Sequence, residues 1–384
     1  MKTKIKLLAL PALALVVVLV MGITAPAKTI IASAYSSQWS PPVLVILGDS
    51  IGTGYGVSGY SAANVQNQTA LYGYGKVIAD ATDYDVRCRA VDGATTFGVI
   101  DRLTNHEGTR VDVMAANIIN ITIGGNDLRY INDIMGSSNF MINTINEVKA
   151  GVSTENADAA LEHLRSGITT ILDLIYELNP NALVVAFENY APPFHTVNIL
   201  ERAIIAAVFG MPAAMDPAGL NLAGITIVTR LNNEVWAERA ANYLGAMVLS
   251  DAYNAMLHTT AQGVTRTDKG LFQFDFIHPT QSGHNILADI LMGTLNQYNE
   301  DNIVVTTSAV VKQLKGNQNE LTVTVVESFP HHASIVYTKT FMIDNNVEGY
   351  YEFGGYTVFV NTKGNTQIRD CFIVTTQPEL ENVA

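Results

Sequence analysis

Apolar positions along the chain fall into three regimes. A continuous apolar run from Leu7 to Ile23 follows Lys2, Lys4 and Lys6. From Val43 to Tyr298, apolar runs of strand length alternate with longer segments of helical period. Beyond about Asn299, β-branched runs separated by turn residues take over and no convincing helix remains.

In the middle regime the predicted strands are Val43 to Leu47, Tyr84 to Val91, Asn117 to Ile123, Ala182 to Phe187 and Ala246 to Ser250. The predicted helices between and after them are Gln68 to Ala81, Thr96 to Leu103, Asn156 to Leu178, Leu220 to Tyr243 and Ser282 to Tyr298. The Asn156 helix has the clearest stripe, with Leu161, Leu164, Ile168, Ile171, Leu172 and Ile175 on one side and Pro180 closing it. Strands alternating with helices imply βαβ units and a parallel sheet, so the expected class is α/β. The last regime predicts strands at Val304 to Val311, Leu321 to Val326, Ile335 to Ile343, Tyr356 to Val360 and Ile368 to Thr375, a small all-β appendage. Ala191 to Gly219 is apolar and broken by prolines and glycines. It reads as an acyl-binding flap or as a buried helix with its connections.

The first regime changes the picture of location. A basic lead, an apolar run and the small-residue sites Ala25-Pro26-Ala27 and Ala32-Ser33-Ala34 have the layout of a secretory signal, with an uncleaved anchor as the alternative. The expected division is therefore 1–34 signal, 35–299 catalytic domain and 300–384 β-rich domain, in a secreted or extracytoplasmic protein. Net charge is -13, and losing the four lysines of the first 34 residues takes it to -17. A surface of that sign repels phosphate backbones, so no nucleic-acid partner is expected. Cys88 and Cys371 could pair after export, but two cysteines make no disulfide framework.

Candidate chemistry sits where strands end. In an open parallel sheet, ligands bind beyond the carboxyl ends of the strands. Ser50 follows the first strand, Gly93 the second and Asn126 the third, and Asp275 and His278 lie in the segment after the fifth. A serine hydroxyl is a poor nucleophile until an imidazole takes its proton, and the imidazole works best beside a carboxylate. Ser50, His278 and Asp275 supply those types. The backbone N–H groups of Ser50 and Gly93 and the side-chain amide of Asn126 are the candidate oxyanion donors, one such donor being worth about 3 kcal/mol. Asp49 and Asp127 are expected to accept backbone hydrogen bonds around the crevice.

Gly48-Asp49-Ser50-Ile51, Gly93 within Asp92-Gly93-Ala94-Thr95-Thr96, Gly124-Gly125-Asn126-Asp127 and Asp275-Phe276-Ile277-His278-Pro279 together resemble the blocks of the GDSL-type (SGNH) esterases and lipases. Ile51 replaces the usual leucine, and Asp92 stands where a serine is more usual. The resemblance covers Val43 to Tyr298. It implies a flavodoxin-like three-layer sandwich, a five-stranded sheet of order 2-1-3-4-5 and hydrolysis of carboxylic esters through an acyl-enzyme. Substrates in such a family include lipids, acetylated sugars and thioesters, so the expected partner is a small-molecule, lipid or acylated-carbohydrate ester.

Competing patterns are weaker. Gly48 to Gly52 also fits the G-x-S-x-G elbow of α/β-hydrolases, but that elbow normally follows several strands. Gly54 to Gly59 has dinucleotide-fingerprint spacing without the strand and helix it needs. No cofactor and no metal are expected. The β appendage is a candidate for cell-surface or wall contact, and a surface-binding protein with a vestigial hydrolase domain is the alternative function.

Overall fold

The computed structural model describes residues 41–376 apart from 138–139, 152–153, 194–199, 202, 204–216, 244, 260, 262–264, 315–318, 330–331, 344–347, 354 and 364–366. The signal reading and most of the flap-or-helix reading therefore lie outside the described residues. Ser40–Tyr298 forms one compact unit, and the chain from Asn299 onward belongs to another.

The first unit is built on five strands: β1 (Val43–Gly48), β2 (Asp85–Cys88), β3 (Ile118–Thr122), β4 (Leu183–Phe187) and β5 (Met247–Ser250). Their order is β2-β1-β3-β4-β5, and every neighbouring pair is parallel. Register places Leu44 beside Ile118, and Ile118 beside Leu183. Side chains alternate along each strand, so β1 feeds two cores. Val45 and Leu47 pack with Leu164, Ile168 and Leu172 on one face; Leu44 and Ile46 pack with Tyr74, Ile78, Leu287 and Leu291 on the other. Helices on both faces of a parallel sheet make this an α/β three-layer sandwich, the SGNH hydrolase fold.

Helix Glu155–Leu178 follows its predicted bounds closely and buries the whole apolar stripe. The helix expected from Gln68 starts only at Gly73, because Gln68 and Gly73 both take positive φ, 55° and 56°, and Tyr72 is extended. Helix Pro217–Arg230 continues through a π-helical turn, Leu231–Trp236, whose Leu231, Val235 and Trp236 are buried. Elements without a counterpart in the sequence reading include helix Ala62–Gln66, helix Glu107–Ala115, helix Phe140–Ala150 and the hairpin of β6 (Leu257–Thr259) and β7 (Thr265–Thr267).

The second unit is all-β. Strands β8 (Val304–Gln313), β9 (Asn319–Phe329) and β10 (His332–Ile343) form one antiparallel sheet of order β10-β9-β8. Strands β11 (Glu348–Phe353), β12 (Tyr356–Lys363) and β13 (Gln367–Thr376) form a second. Leu321, Val323, Val325, Val358 and Val360 are its core. Strand β11 has no counterpart among the strands predicted for this region. Cys88 is buried in the first unit and Cys371 lies in β13 of the second, each a free thiol.

Candidate active site

Strand β1 ends where Gly48 adopts φ 126°, and a Cβ there would lie 1.8 Å from the Thr122 carbonyl oxygen. Only glycine lets the chain turn that close to β3. Asp49 then caps helix Ser50–Thr53, its Oδ1 accepting the Ile51 N–H at 3.0 Å. Ser50 is thereby the first residue of a helix, buried, with an N–H that has no intrahelical carbonyl to reach.

The segment after β5 brings in Asp275 and His278. Its loop is closed by Gln273 N–H donating to the His278 carbonyl and by Thr280 N–H donating to that of Leu271, both at 2.8 Å. Phe276 sits inside this loop at φ 62°, a left-handed conformation that a phenylalanine holds only when its surroundings fix it. The Phe276 ring is buried, and the turn it permits aims Asp275 and His278 together. Asp275 Oδ1 accepts the N–H groups of Ile277 and His278 at 3.0 and 3.1 Å. Its Oδ2 lies 2.6 Å from His278 Nδ1, and His278 Nε2 lies 2.8 Å from Ser50 Oγ. With Nδ1–H donated to the carboxylate, Nε2 accepts the serine hydroxyl. Burial tends to raise the Asp275 pKa, but the His278 hydrogen bond and charge and the two N–H groups outweigh it and hold the carboxyl below its usual range. Tyr55 lies against the His278 ring, centroids 4.5 Å apart, and Gln273 Nε2 donates to the Tyr55 carbonyl.

Gly93 turns at φ 74°, and a Cβ there would meet nothing, so conformation rather than space calls for glycine. Asp92 beside it accepts from Thr53 Oγ1 at 2.6 Å and from the Tyr60 hydroxyl. The aspartate in place of the usual serine thus ties the Gly93 turn to the helix that carries Ser50. Asn126 is the second residue of a short helix, Gly125–Arg129, and one of its Nδ2 hydrogens goes to the Ala94 carbonyl at 3.0 Å. Among the described residues no acceptor takes the backbone N–H of Ser50 or of Gly93.

Under this layer, Asp127 is fully buried and accepts Thr96 N–H at 3.0 Å, Thr96 Oγ1 at 2.6 Å and His163 Nε2 at 3.2 Å. Asp49 and Asp127 both accept backbone N–H groups, as expected of them. Thr96, His163 and Tyr55 carried no signal in the sequence. Their parts come from partners more than thirty residues away or from ring stacking, which no local pattern encodes.

Beside Ser50 opens an apolar cavity of ≈ 150 Å³. Ile131, Phe140, Met141, Ile145, Ala223 and Ile227 wall it, most of them from helix Phe140–Ala150 and helix Pro217–Arg230. Glu188, past the end of β4, also lines it; burial and the neighbouring Asp251 push its carboxyl up to about 7. Among the described residues no group of three or more His, Cys, Asp or Glu side chains could hold a metal ion.

The GDSL-like lipase/acylhydrolase family matches residues 46–286, well over half of the chain and every residue of the constellation just described. The chain belongs to this family. As a GDSL-like acylhydrolase it is an ester hydrolase of the α/β class. Similar solved structures include a phospholipase A1 from Streptomyces albidoflavus, with 22% identity over 66% of this chain and 99% of that one at a TM-score of 0.44. An extracellular lipase from Streptomyces rimosus has 20% identity, covers 66% of this chain and 99% of its own, and gives a TM-score of 0.43. A lipase from a goat rumen metagenome has 18% identity, covers 66% and 96%, and gives 0.42. No curated protein matches the GDSL-like chain.

Proposed function

We propose that this GDSL-like hydrolase is an exported enzyme that cleaves carboxylic esters through an acyl-enzyme on Ser50, taking the acyl group into the apolar cavity. The observation that carries the reading is the unbroken relay from Asp275 Oδ2 to His278 Nδ1 at 2.6 Å and from His278 Nε2 to Ser50 Oγ at 2.8 Å, ending at that cavity. His278 takes the Ser50 proton as Oγ bonds to the ester carbonyl carbon, and Asp275 steadies the imidazolium. The carbonyl oxygen, now negative, faces the N–H groups of Ser50 and Gly93 and the second Nδ2 hydrogen of Asn126. His278 returns its proton to the leaving alcohol, then deprotonates the water that releases the acid and restores Ser50.

Substrates in this reading are lipid or O-acyl carbohydrate esters, with the cavity favouring acyl chains longer than acetyl. Export rests on Lys2, Lys4 and Lys6 before the Leu7 to Ile23 run. Among the described residues no helix is long and apolar enough to cross a membrane. The β-rich unit would hold the enzyme at a polymer surface.

Initial rates on p-nitrophenyl acetate, butyrate, octanoate and palmitate, for the chain lacking residues 1–34 and its Ser50→Ala variant, test the proposal. Rates should rise from acetate toward the longer chains, and Ser50→Ala should lose roughly 10³-fold or more. Activity greatest on acetate would remove the cavity from acyl binding. No Ser50-dependent hydrolysis would favour the vestigial-domain alternative.

A further inference from the structure

The β-rich unit buries one face of each sheet and turns the other outward, because side chains alternate along a strand. The two outward faces differ. On β10-β9-β8 the outward positions are mainly hydroxyl and aliphatic residues, with Lys312 opposite Glu320 at one end, and Thr322 paired to Thr340 at 3.1 Å and Thr324 to Thr338 at 3.3 Å. Tyr337 and Phe341 of that sheet point inward and pack against the core.

On β11-β12-β13 Tyr351 and Tyr356 likewise pack inward, but further aromatic residues occupy the outward face. Pairing sets Tyr350 opposite Phe359 and Phe359 opposite Phe372, so three outward aromatic rings stand in file across the three strands. Successive centroids are 5.2 and 5.0 Å apart. Tyr350 is 66% exposed and Phe372 42%. Aromatic rings left in a continuous exposed row mark a surface that meets a partner. Polar groups flank the row: Glu348, Asn361 and Asp370 on one side, Glu352 and Thr357 on the other. Asn361 Nδ2 donates to Asp370 Oδ2 at 3.1 Å, and the exposed Arg369 at the β13 bulge is 4.0 Å from Asp370.

We infer that this face binds an uncharged polysaccharide, with sugar rings stacked on Tyr350, Phe359 and Phe372. The apolar C–H face of a pyranose covers an aromatic ring as a base does in stacking platforms. Its hydroxyls donate to Glu348, Glu352 and Asp370 and exchange hydrogen bonds with the Asn361 amide. Charge selects the occupant. Among the described side chains, three carboxylates against one guanidinium repel nucleic acid, anionic lipid headgroups and phosphate-bearing polymers. A second copy docked face to face would oppose carboxylates to carboxylates. A neutral, hydroxyl-rich chain meets neither penalty. The inference goes beyond the hydrolase reading and does not depend on it.

Co-sedimentation of the chain lacking residues 1–34 with microcrystalline cellulose, chitin and insoluble xylan tests it. The wild type should partition onto at least one of them, and Ser50→Ala should bind as the wild type does, separating this site from the catalytic one. Tyr350→Ala with Phe372→Ala should weaken binding by about tenfold or more, the scale at which removed aromatic anchors usually register. Hydrolysis of p-nitrophenyl esters by the double variant should stay within about twofold of wild type, as expected of positions outside the site. Phe359→Leu keeps apolar bulk at the central position while removing the ring, and should weaken binding without loss of folding by circular dichroism. Absence of binding to all three polymers, or equal binding by wild type and variants, overturns the inference. So would binding only to phosphatidylglycerol vesicles, or a concentration-dependent dimer that the double variant abolishes.

Discussion

Asp49 caps the helix of Ser50 from a buried position, and burial pushes its carboxyl up to about 7 against the pull of the Ile51 N–H and the charge of His278. In the unfolded chain the same group titrates near 3.8. Between those values the folded state holds the proton that the unfolded state has lost, so stability from this group falls as pH rises through the window. The loss is of the order of a few kcal/mol when complete. Asp49→Asn keeps a side-chain oxygen for the cap and removes the titration. From pH 5 to 8 the wild-type Tm should therefore fall more than the variant's, by about 5 °C for a unit of this size. Parallel curves would show that Asp49 ionises freely in the fold. At this scale Ser50, Gly93 and Asn126 stand out in the sequence as short motifs just past strand ends, and Asp275 and His278 as a carboxylate and an imidazole three residues apart in one loop. The sequence also marked Asp92 as a departure without a role, which only the contacts from Thr53 and Tyr60 supply. His163 is silent for the same reason, since its partner Asp127 is reached only through the fold.

Elements hold those residues in register. Helix Thr96–Asn105 and helix Glu155–Leu178 meet at Gly167, where a Cβ would lie 2.5 Å from Thr96 Oγ1. Thr96 is the residue that fixes Asp127, next to Asn126, while Ala94 holds Asn126 from the same segment. Gly167→Ala must push the two helices apart at that point. Overpacking of this kind costs about 1–3 kcal/mol. The expected outcome is a lowered Tm together with about a tenfold lower kcat at little changed KM, the signature of disturbed transition-state donors. A loss of stability with kcat intact would mean that Thr96 does not set the donor geometry. Legibility varies among elements for physical reasons. Glu155–Leu178 announces itself because it buries a full stripe against the sheet. Phe140–Ala150 does not, since Thr144 takes a buried position and Asn143 and Asn146 interrupt its apolar pattern. The β6–β7 hairpin has three-residue strands, too short to show a period.

For the whole molecule, alternation of strands and helices was enough to specify a parallel sheet, because right-handed crossovers leave few other topologies. It did not specify the order β2-β1-β3-β4-β5, which came from the family blocks and which the strand pairing displays. That order matters to chemistry. It sets β1 between β2 and β3, so Ser50, Gly93 and Asn126 emerge beside one another, and the loop after β5 closes over them. The β-rich unit has its own core, and its outward aromatic row has no counterpart in the family match, which ends at residue 286. The central claim is that Ser50 is an activated nucleophile. Its most direct measurement is labelling of the intact protein by an alkyl fluorophosphonate, followed by mass spectrometry of the peptides. A single adduct on the peptide carrying Ser50, absent from Ser50→Ala and much slower to form in His278→Ala, is the result predicted. A protein that stays unlabelled, or that is labelled on another residue, would contradict it.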